Sequence, residues 1–195
     1  MARSSSPGRP RRLGRAFFDR PTIIVARDLL GTTLWVGERA ARIVETEAYL
    51  TGDPASHAYR GPTRRNRSMF GPPGTLYMFR IHQVVCSNLV TRPGEAVLLR
   101  AGEPITPGLA NTSGPGRLCR AMGLRLADDG TSVISGERLR ILGGSREKIR
   151  VRVGHRVGIR RAARRRLRFS VADSPWVSRP RPGPPHRAPR PRSGQ

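Results

Sequence analysis

The sequence predicts a single α+β domain, a curved antiparallel sheet with helices packed against it. Three observations predict this class. Strand-like stretches outnumber helix-like ones along the middle of the chain. The 195 residues suffice for one domain with a real core. The two ends, "MARSSSPGRPRR" and "RPRPGPPHRAPRPRSGQ", are too rich in Pro, Arg and Ser to bury one. Residues 1–12 and 179–195 are therefore expected to be disordered basic tails around a domain at 13–178, which shows no internal repeat.

The elements follow in order. "PTIIVARDLLGTTLWV" reads as a helix with Pro21 near its start and Gly31 at its end, then a strand from Thr32 to Val36. "ARIVETEAY" alternates, so Ile43, Glu45, Glu47 and Tyr49 share one face and Val44, Thr46 and Ala48 the other. Residues 50–74, dense in Gly, Pro, Arg and Asn, read as a long loop. "TLYMFRI" and "EAVLLRA" are further strands. "GPGRLCRAMGL" is a turn feeding a short helix, and "RLRILG", "RVRVG" and "RLRFSVA" are late strands with arginine at alternating positions.

Composition excludes several classes. The formal net charge is +24, from 37 basic and 13 acidic residues, and a single lysine, Lys148, leaves arginine to carry almost all the positive charge. Such an excess fits a polyanionic partner, and arginine suits phosphate. No apolar run approaches the ~18 residues of a membrane span, and no hydrophobic segment follows the N-terminus as in a secretory signal. A cytoplasmic, bacterial-type, nucleoid setting is expected. Cys86 and Cys119 have no zinc spacing and read as buried free thiols. The four histidines form no HxH or HExxH pattern, and Walker and GxGxxG motifs are absent, so neither metal nor cofactor is expected.

Against this background "RIVETEAYLTGDPASHAYRG" stands out. Glu45, Glu47 and Asp53 fall within nine positions of a chain poor in acids, followed by His57. Glu45 and Glu47, two apart on a strand, project to one face. A carboxylate facing a basic groove stays ionised and can act as a base toward water. Tyr49 continues that face, and an acid beside an aromatic suggests a pocket for a flat, electron-poor group. His57 could stack or donate a hydrogen bond there. The loop "RGPTRRNRSMFGPPG" offers Arg64, Arg65 and Arg67 to phosphates. In "YMFRIHQ", Tyr77 and Phe79 share a face and His82 lies just past the strand. Each of these also has an ordinary structural explanation: an arginine partner for the acids, a solvated charge run, core aromatics.

Taken together, "ARIVETEAY", "ASHAYRG", "RRNRSMFGPPGTLYMF", "VVCSNLV", "AVLLRAGEP", "SGPGRLCRAMGL" and "RVRVGHR…LRFSVADSPWVS" resemble, in order, the alkyladenine (3-methyladenine) DNA glycosylases over residues 23–178. The resemblance implies a fold like the C-terminal domain of methionyl-tRNA formyltransferase. It implies Glu47 as the activator of the attacking water, Arg100 beside that water, and the backbone carbonyl of Val151 near it. It implies Tyr49, His57 and Phe79 around a flipped base, with Asn88 lining the pocket and excluding guanine's exocyclic amine. His82 falls near the intercalating position, and Arg64, Arg65, Arg67 and Tyr77 are counted with it as DNA contacts. The sequence departs from the family pattern at Phe79, where tyrosine is usual, in a shorter turn between Tyr49 and His57, and in a gap around "RIHQVVCSN".

The function implied is a monomeric, monofunctional glycosylase on double-stranded DNA. It would flip and hydrolyse out alkylated or deaminated purines: 3-methyladenine and 7-methylguanine, with hypoxanthine and ethenoadenine as further candidates. A lyase would need an amine nucleophile. The alternatives are a non-catalytic RNA- or DNA-binding module, tRNA- or ribosome-associated, and a metal-dependent nuclease.

Overall fold

The computed structural model describes residues 11–81, 83–144 and 149–181. Its element order is α1 (Arg15–Phe18), α2 (Thr22–Asp28), β1 (Thr33–Val36), β2 (Arg39–Tyr49), β3 (Leu76–Ile81), β4 (Val84–Arg92), β5 (Glu95–Pro104), α3 (Pro115–Met122), β6 (Leu139–Leu142), β7 (Val151–Gly154) and β8 (Arg168–Val171). Short 3-10 turns at Arg67–Phe70 and Leu126–Asp128 punctuate the loops. The α+β class holds. The strands form one curled antiparallel sheet in the order β3-β4-β5-β2-β1-β6, with β8 branching from β2 and β7 pairing β8.

The eleven residues of β2 organise the sheet. On one side β5 runs along it from Ala41 to Tyr49. Its other side is divided: β1 pairs Arg39 to Arg42 and β8 pairs Glu45 to Glu47. Pairing covers both edges of the strand, and packing covers both of its faces beyond the exposed Arg39 and Arg42. Residues 43–48 are all buried, on the Ile43, Glu45 and Glu47 face as well as on the Val44, Thr46 and Ala48 face. The carboxylates of Glu45 and Glu47 therefore sit inside the domain.

Helix α2 lies against β2 through Val25, Ala26 and Leu29, and the Thr46 hydroxyl donates to the Ala26 carbonyl at 2.7 Å. Helix α3 opens on Pro115 and stops at Gly123, whose φ of +71° suits a glycine cap. It buries Leu118, Cys119 and Met122. These join Leu76, Leu89, Leu99 and Phe169 in the main core. A smaller cluster of Met69, Tyr77, Val90 and Ala96, with Tyr49, Phe70 and Phe79 at its margin, forms at the β3–β4 edge.

Most expected elements are present. The helix begun at Pro21 gives way after Asp28 to a turn ending at Gly31 (φ +80°), and β1 begins at Thr33. Helix α1 and strand β4 are additions. In β4 residues 86–91 are buried on both faces, so no alternation marked it. Arg11 and Arg12, placed by composition in the N-terminal tail, lie on the β6 edge: Leu142 bridges Arg12, whose guanidinium donates to the carbonyls of Val133 and Leu139. At the other end Arg168 donates to the carbonyl of Pro180. Cys86 and Cys119 are buried and free, and burial raises both thiols, to about 11 and about 12. No helix among the described residues is long and apolar enough to cross a membrane.

Leu99 is fully buried in the main core. Leu99→Ala is expected to cost about 2–5 kcal/mol, read as a lower urea midpoint at unchanged slope. Ile24→Ala, on an exposed face of α2, should stay within about 0.5 kcal/mol of wild type.

Candidate active site

The site begins with a defect in the β2–β5 ladder. Val44 is an extra residue on β2, and Arg100 is an extra residue on β5. The register shifts by one at Glu45 and returns at Thr46. A bulge re-aims the side chain it carries. The Arg100 guanidinium lands between both carboxylates, with Nε 3.1 Å from Glu45 Oε1 and Nη1 3.2 Å from Glu47 Oε1.

Glu47 is fully buried. Its Oε1 also accepts the backbone N–H of Val157 at 2.8 Å, and its Oε2 accepts the Tyr49 hydroxyl at 2.9 Å. Burial raises its pKa above the usual 4.5. Arg100, the Val157 amide and the Tyr49 hydroxyl pull it back, and the Glu45 charge adds to the rise. The strand reading foresaw a carboxylate kept ionised by basic surroundings. The structure opposes that tendency with desolvation, leaving a more basic carboxylate. Burial, then Glu47's charge and hydrogen bond, likewise push the Tyr49 hydroxyl well above its usual range.

Glu45 serves a different end. Its oxygens accept from Arg100, from Arg168 Nε, and from the backbone N–H (2.8 Å) and hydroxyl (3.1 Å) of Ser178. Arg168 continues to the Ser178 carbonyl at 2.9 Å. Glu45 thus ties the C-terminal segment to β2 and holds Arg100 from one side, with three donors on Oε1 and one on Oε2.

A cavity of about 70 Å³ opens beside this cluster, lined by Tyr49, His57, Tyr77, Phe79 and Asn88 together with Met69 and Ile159. The Phe79 and His57 rings meet edge to face at 4.4 Å, and Tyr77 stacks on Phe79 at 5.7 Å. His57 Nδ1 and the Tyr77 hydroxyl are 2.9 Å apart, and burial lowers the His57 pKa. Asn88 donates to the Tyr77 carbonyl at 3.2 Å, so its side chain is held in place. A wider cleft of about 650 Å³ is lined by Arg100, Ser178 and the first turn of α3.

Two loops frame the small cavity. Asn66 is buried and acts as the staple of the first: it donates to the carbonyls of His57 (2.9 Å) and Gly61 (3.1 Å) and accepts from Thr63. Arg64, Arg65 and Arg67 are left exposed around it. The second loop follows β7. There Arg156, with no exposed side-chain surface, forms a two-point ion pair with Asp53, equally buried, and donates to the Ala48 carbonyl at 3.0 Å. Its guanidinium also covers the Tyr49 ring, 4.6 Å from the centroid. Burial acts to raise the Asp53 pKa, but the Arg156 hydrogen bonds, the Ala55 amide and the Arg156 charge hold it below its usual value.

The structure thus brings Glu47, Arg100, Tyr49, His57, Phe79 and Asn88 to one place. Tyr77, expected among the DNA contacts, is only 3% exposed and forms the cavity wall, because its strand position turns it toward Met69 and Val90. Val151 pairs with Val171, three positions along β7 from Gly154, which lies opposite Arg168, the β8 partner of Glu47. The backbone group that reaches Glu47 is the Val157 amide. His82 and Lys148 lie outside the described residues. Sequence reasoning missed Arg156, Arg168, Val157 and Ser178. The signal available was charge: a buried acid requires a buried partner.

A buried glutamate gripped by arginine, one of its hydrogen bonds supplied by the aromatic wall of a cavity, on a strongly basic domain, is the equipment of a hydrolase acting on nucleic acid. The family comparison agrees: the methylpurine-DNA glycosylase (MPG) family matches residues 16–175. The chain belongs to that family, and is a DNA glycosylase. It is 46% identical over 184 residues to a protein of Anaeromyxobacter dehalogenans strain 2CP-1, covering 88% of each chain. It is 41% identical over 186 residues to one of Rhizobium etli, covering 85% of this chain and 88% of the relative. It is 43% identical over 190 residues to one of Methanoculleus marisnigri, covering 86% and 98%. All three relatives carry the name "Putative 3-methyladenine DNA glycosylase".

Asp53→Asn leaves Arg156 buried beside a neutral group and is expected to cost about 3–5 kcal/mol. Because the folded pKa of Asp53 lies below its usual 3.8, the stabilisation is full above that pH and is lost as pH falls through the folded value. Urea titrations of both proteins should show the gap at pH 7 closing below about pH 4.

Proposed function

We propose that the protein extrudes a damaged purine from duplex DNA and hydrolyses its glycosidic bond with Glu47 as general base. One observation carries this reading: the hydroxyl bonded to Glu47 belongs to Tyr49, the ring that lines the cavity. Base and attacking water would therefore meet at one carboxylate. A base within a duplex cannot present its glycosidic bond to an enzyme, so the nucleotide must leave the stack. The extruded base lies against Tyr49, with His57 and Phe79 as the other wall. The depressed His57 pKa keeps that ring neutral at pH 7, so it does not repel an alkylated, cationic purine. Phe79 supplies a stacking face without a hydroxyl. Asn88, locked on the Tyr77 carbonyl, helps to disfavour the exocyclic amine of undamaged guanine, a penalty that the positive charge and weakened glycosidic bond of 7-methylguanine offset.

An ionised carboxylate offers about four lone pairs. In Glu47 the Val157 amide and Arg100 take those of Oε1, and Tyr49 takes one of Oε2. The remaining Oε2 lone pair accepts a proton of the water. As the N–C1′ bond breaks, the base leaves with the bonding pair and the sugar gains oxocarbenium character, which the Glu47 charge stabilises. Water oxygen bonds to C1′ and its proton passes to Glu47. The product is an abasic site with an intact backbone. With one lysine in the chain, in "GGSREKIR", hydrolysis is favoured over amine attack.

The substrates are 3-methyladenine and 7-methylguanine, with hypoxanthine and ethenoadenine as further candidates, in double-stranded DNA bound by a monomer in the bacterial cytoplasm. Arg64, Arg65 and Arg67 hold phosphates. The wedge that replaces the extruded nucleotide lies between β3 and β4 in the chain, the stretch that contains the sequence candidate His82 and is flanked by Ile81 and Val84, 48% and 43% exposed.

Glu47→Gln keeps the shape and removes the proton acceptor. Single-turnover excision from alkylated duplex should fall by roughly 10²–10⁴-fold, with binding near wild type. Glu45→Gln should lower stability by about 3–5 kcal/mol, because Arg168 loses its carboxylate partner and Arg100 is left with Glu47 alone. It should nonetheless retain far more excision per folded molecule. A dead Glu45→Gln beside an active Glu47→Gln reverses the two roles. A wild-type protein that releases no base leaves the binding-module reading standing.

A further inference from the structure

The loop between β7 and β8 carries arginines that the catalytic reading does not use. Arg160, Arg161, Arg164, Arg165 and Arg166 are all exposed within seven positions. Arg166 is tied to the Val153 carbonyl at 2.8 Å. The other four form no ion pair among the described residues. Elsewhere on the surface Arg15, Arg42, Arg138 and Arg150 each face a carboxylate, whereas Arg64, Arg65 and Arg67, on the loop already assigned to phosphates, form no ion pair among the described residues. Four uncompensated guanidiniums on one short loop repel one another, and a polyanion relieves that repulsion.

The loop is held at both ends on the same two residues of β2. At its start the Val157 amide meets Glu47 and Arg156 reaches the Ala48 carbonyl. At its end the Ala48 amide donates to the Leu167 carbonyl at 2.8 Å. Within it the Arg165 amide donates to the carbonyl of Ala162, which sits at φ +48°. Ile159, adjacent to Arg160, lines the cavity. The charge is therefore pre-positioned at the cavity rim, which lowers the ordering cost of gripping a ligand there. Asp53, buried beneath the loop, has its pKa lowered in part by the Arg165 charge.

We propose that residues 158–166 are a phosphate grip for the DNA strand that carries the extruded nucleotide. It holds phosphates next to the lesion from the Glu47 and Tyr49 side, as the 60–67 loop does from the His57 side. The inference rests on the glycosylase reading above for the identity of the strand. It goes beyond that reading in assigning a second set of phosphate contacts to a loop whose base also positions Glu47.

The test is a four-arginine variant, Arg160→Gln, Arg161→Gln, Arg164→Gln and Arg165→Gln. A control variant with the same reduction in charge carries Arg15→Gln, Arg42→Gln, Arg138→Gln and Arg140→Gln. Binding to a duplex bearing a tetrahydrofuran abasic analogue is measured by anisotropy across salt. The loop variant should lower the slope of log K against log salt by roughly 2–4, at about 0.9 for each phosphate that is no longer neutralised, and the control by less than about 1. Equal changes in the two variants, or an unchanged slope in the loop variant, overturn the proposal. Neutral methylphosphonates flanking the analogue should cost the wild type several-fold more affinity than the loop variant, and equal costs overturn the assignment to those phosphates. Because this readout needs no excision, wild-type excision assayed in parallel tests the hydrolase reading separately.

Discussion

The Arg100 guanidinium, shared between Glu45 and Glu47, is the interaction on which the rest of the site depends. Two carboxylates this close and without solvent exposure would repel each other and lose their hydration, at a cost no small domain tolerates. One cation between them makes their burial possible. The arrangement needs the paired bulges at Val44 and Arg100, because a regular ladder would not place Arg100 over both acids. The division of β2 between β1 and β8 matters equally. It opens the segment Glu45 to Glu47 to β8, which brings Arg168 onto Glu45. Glu45 and Arg168 are thus the structural half of the cluster, and Glu47 is the half bonded to the cavity wall through Tyr49.

This division also accounts for how the chain distributes its charge. Acids are few, and three of them lie inside, where each is matched by arginine: Glu45 and Glu47 by Arg100 and Arg168, Asp53 by Arg156. The interior arginines set geometry. Arg156 does so twice, covering the Tyr49 ring with its guanidinium while its neighbour Val157 donates to Glu47. The arginines on the surrounding loops keep their charge for the outside. A domain built this way attracts polyanions over its surface and keeps one basic carboxylate in its interior.

Much of this was legible in the sequence. The alternation of "ARIVETEAY" put Glu45, Glu47 and Tyr49 on one strand, and Tyr49 does reach Glu47. The ordered motifs identified the family. Pairwise burial was not legible. Strand β4 is covered on both faces and shows no period, and Tyr77 faces inward because the Met69 and Val90 cluster fills the space beneath it. Arg156 and Arg168 lie more than a hundred positions from Asp53 and Glu45, and no local pattern announces such pairs. Arg12 likewise reads as tail by composition, yet its guanidinium completes the β6 edge.

The central claim is that Arg100 keeps a desolvated Glu47 available as the base. The pH dependence of single-turnover excision in wild type and in Arg100→Gln tests it most directly. Because burial raises the Glu47 pKa, the wild-type acidic limb should lie above the ordinary carboxylate value of 4.5, and removing the cation that opposes burial should move that limb to still higher pH. The account predicts this displacement together with a lower plateau. An acidic limb that stays at the wild-type pH while only the plateau falls would contradict it, since Arg100 would then act without setting the ionisation of Glu47.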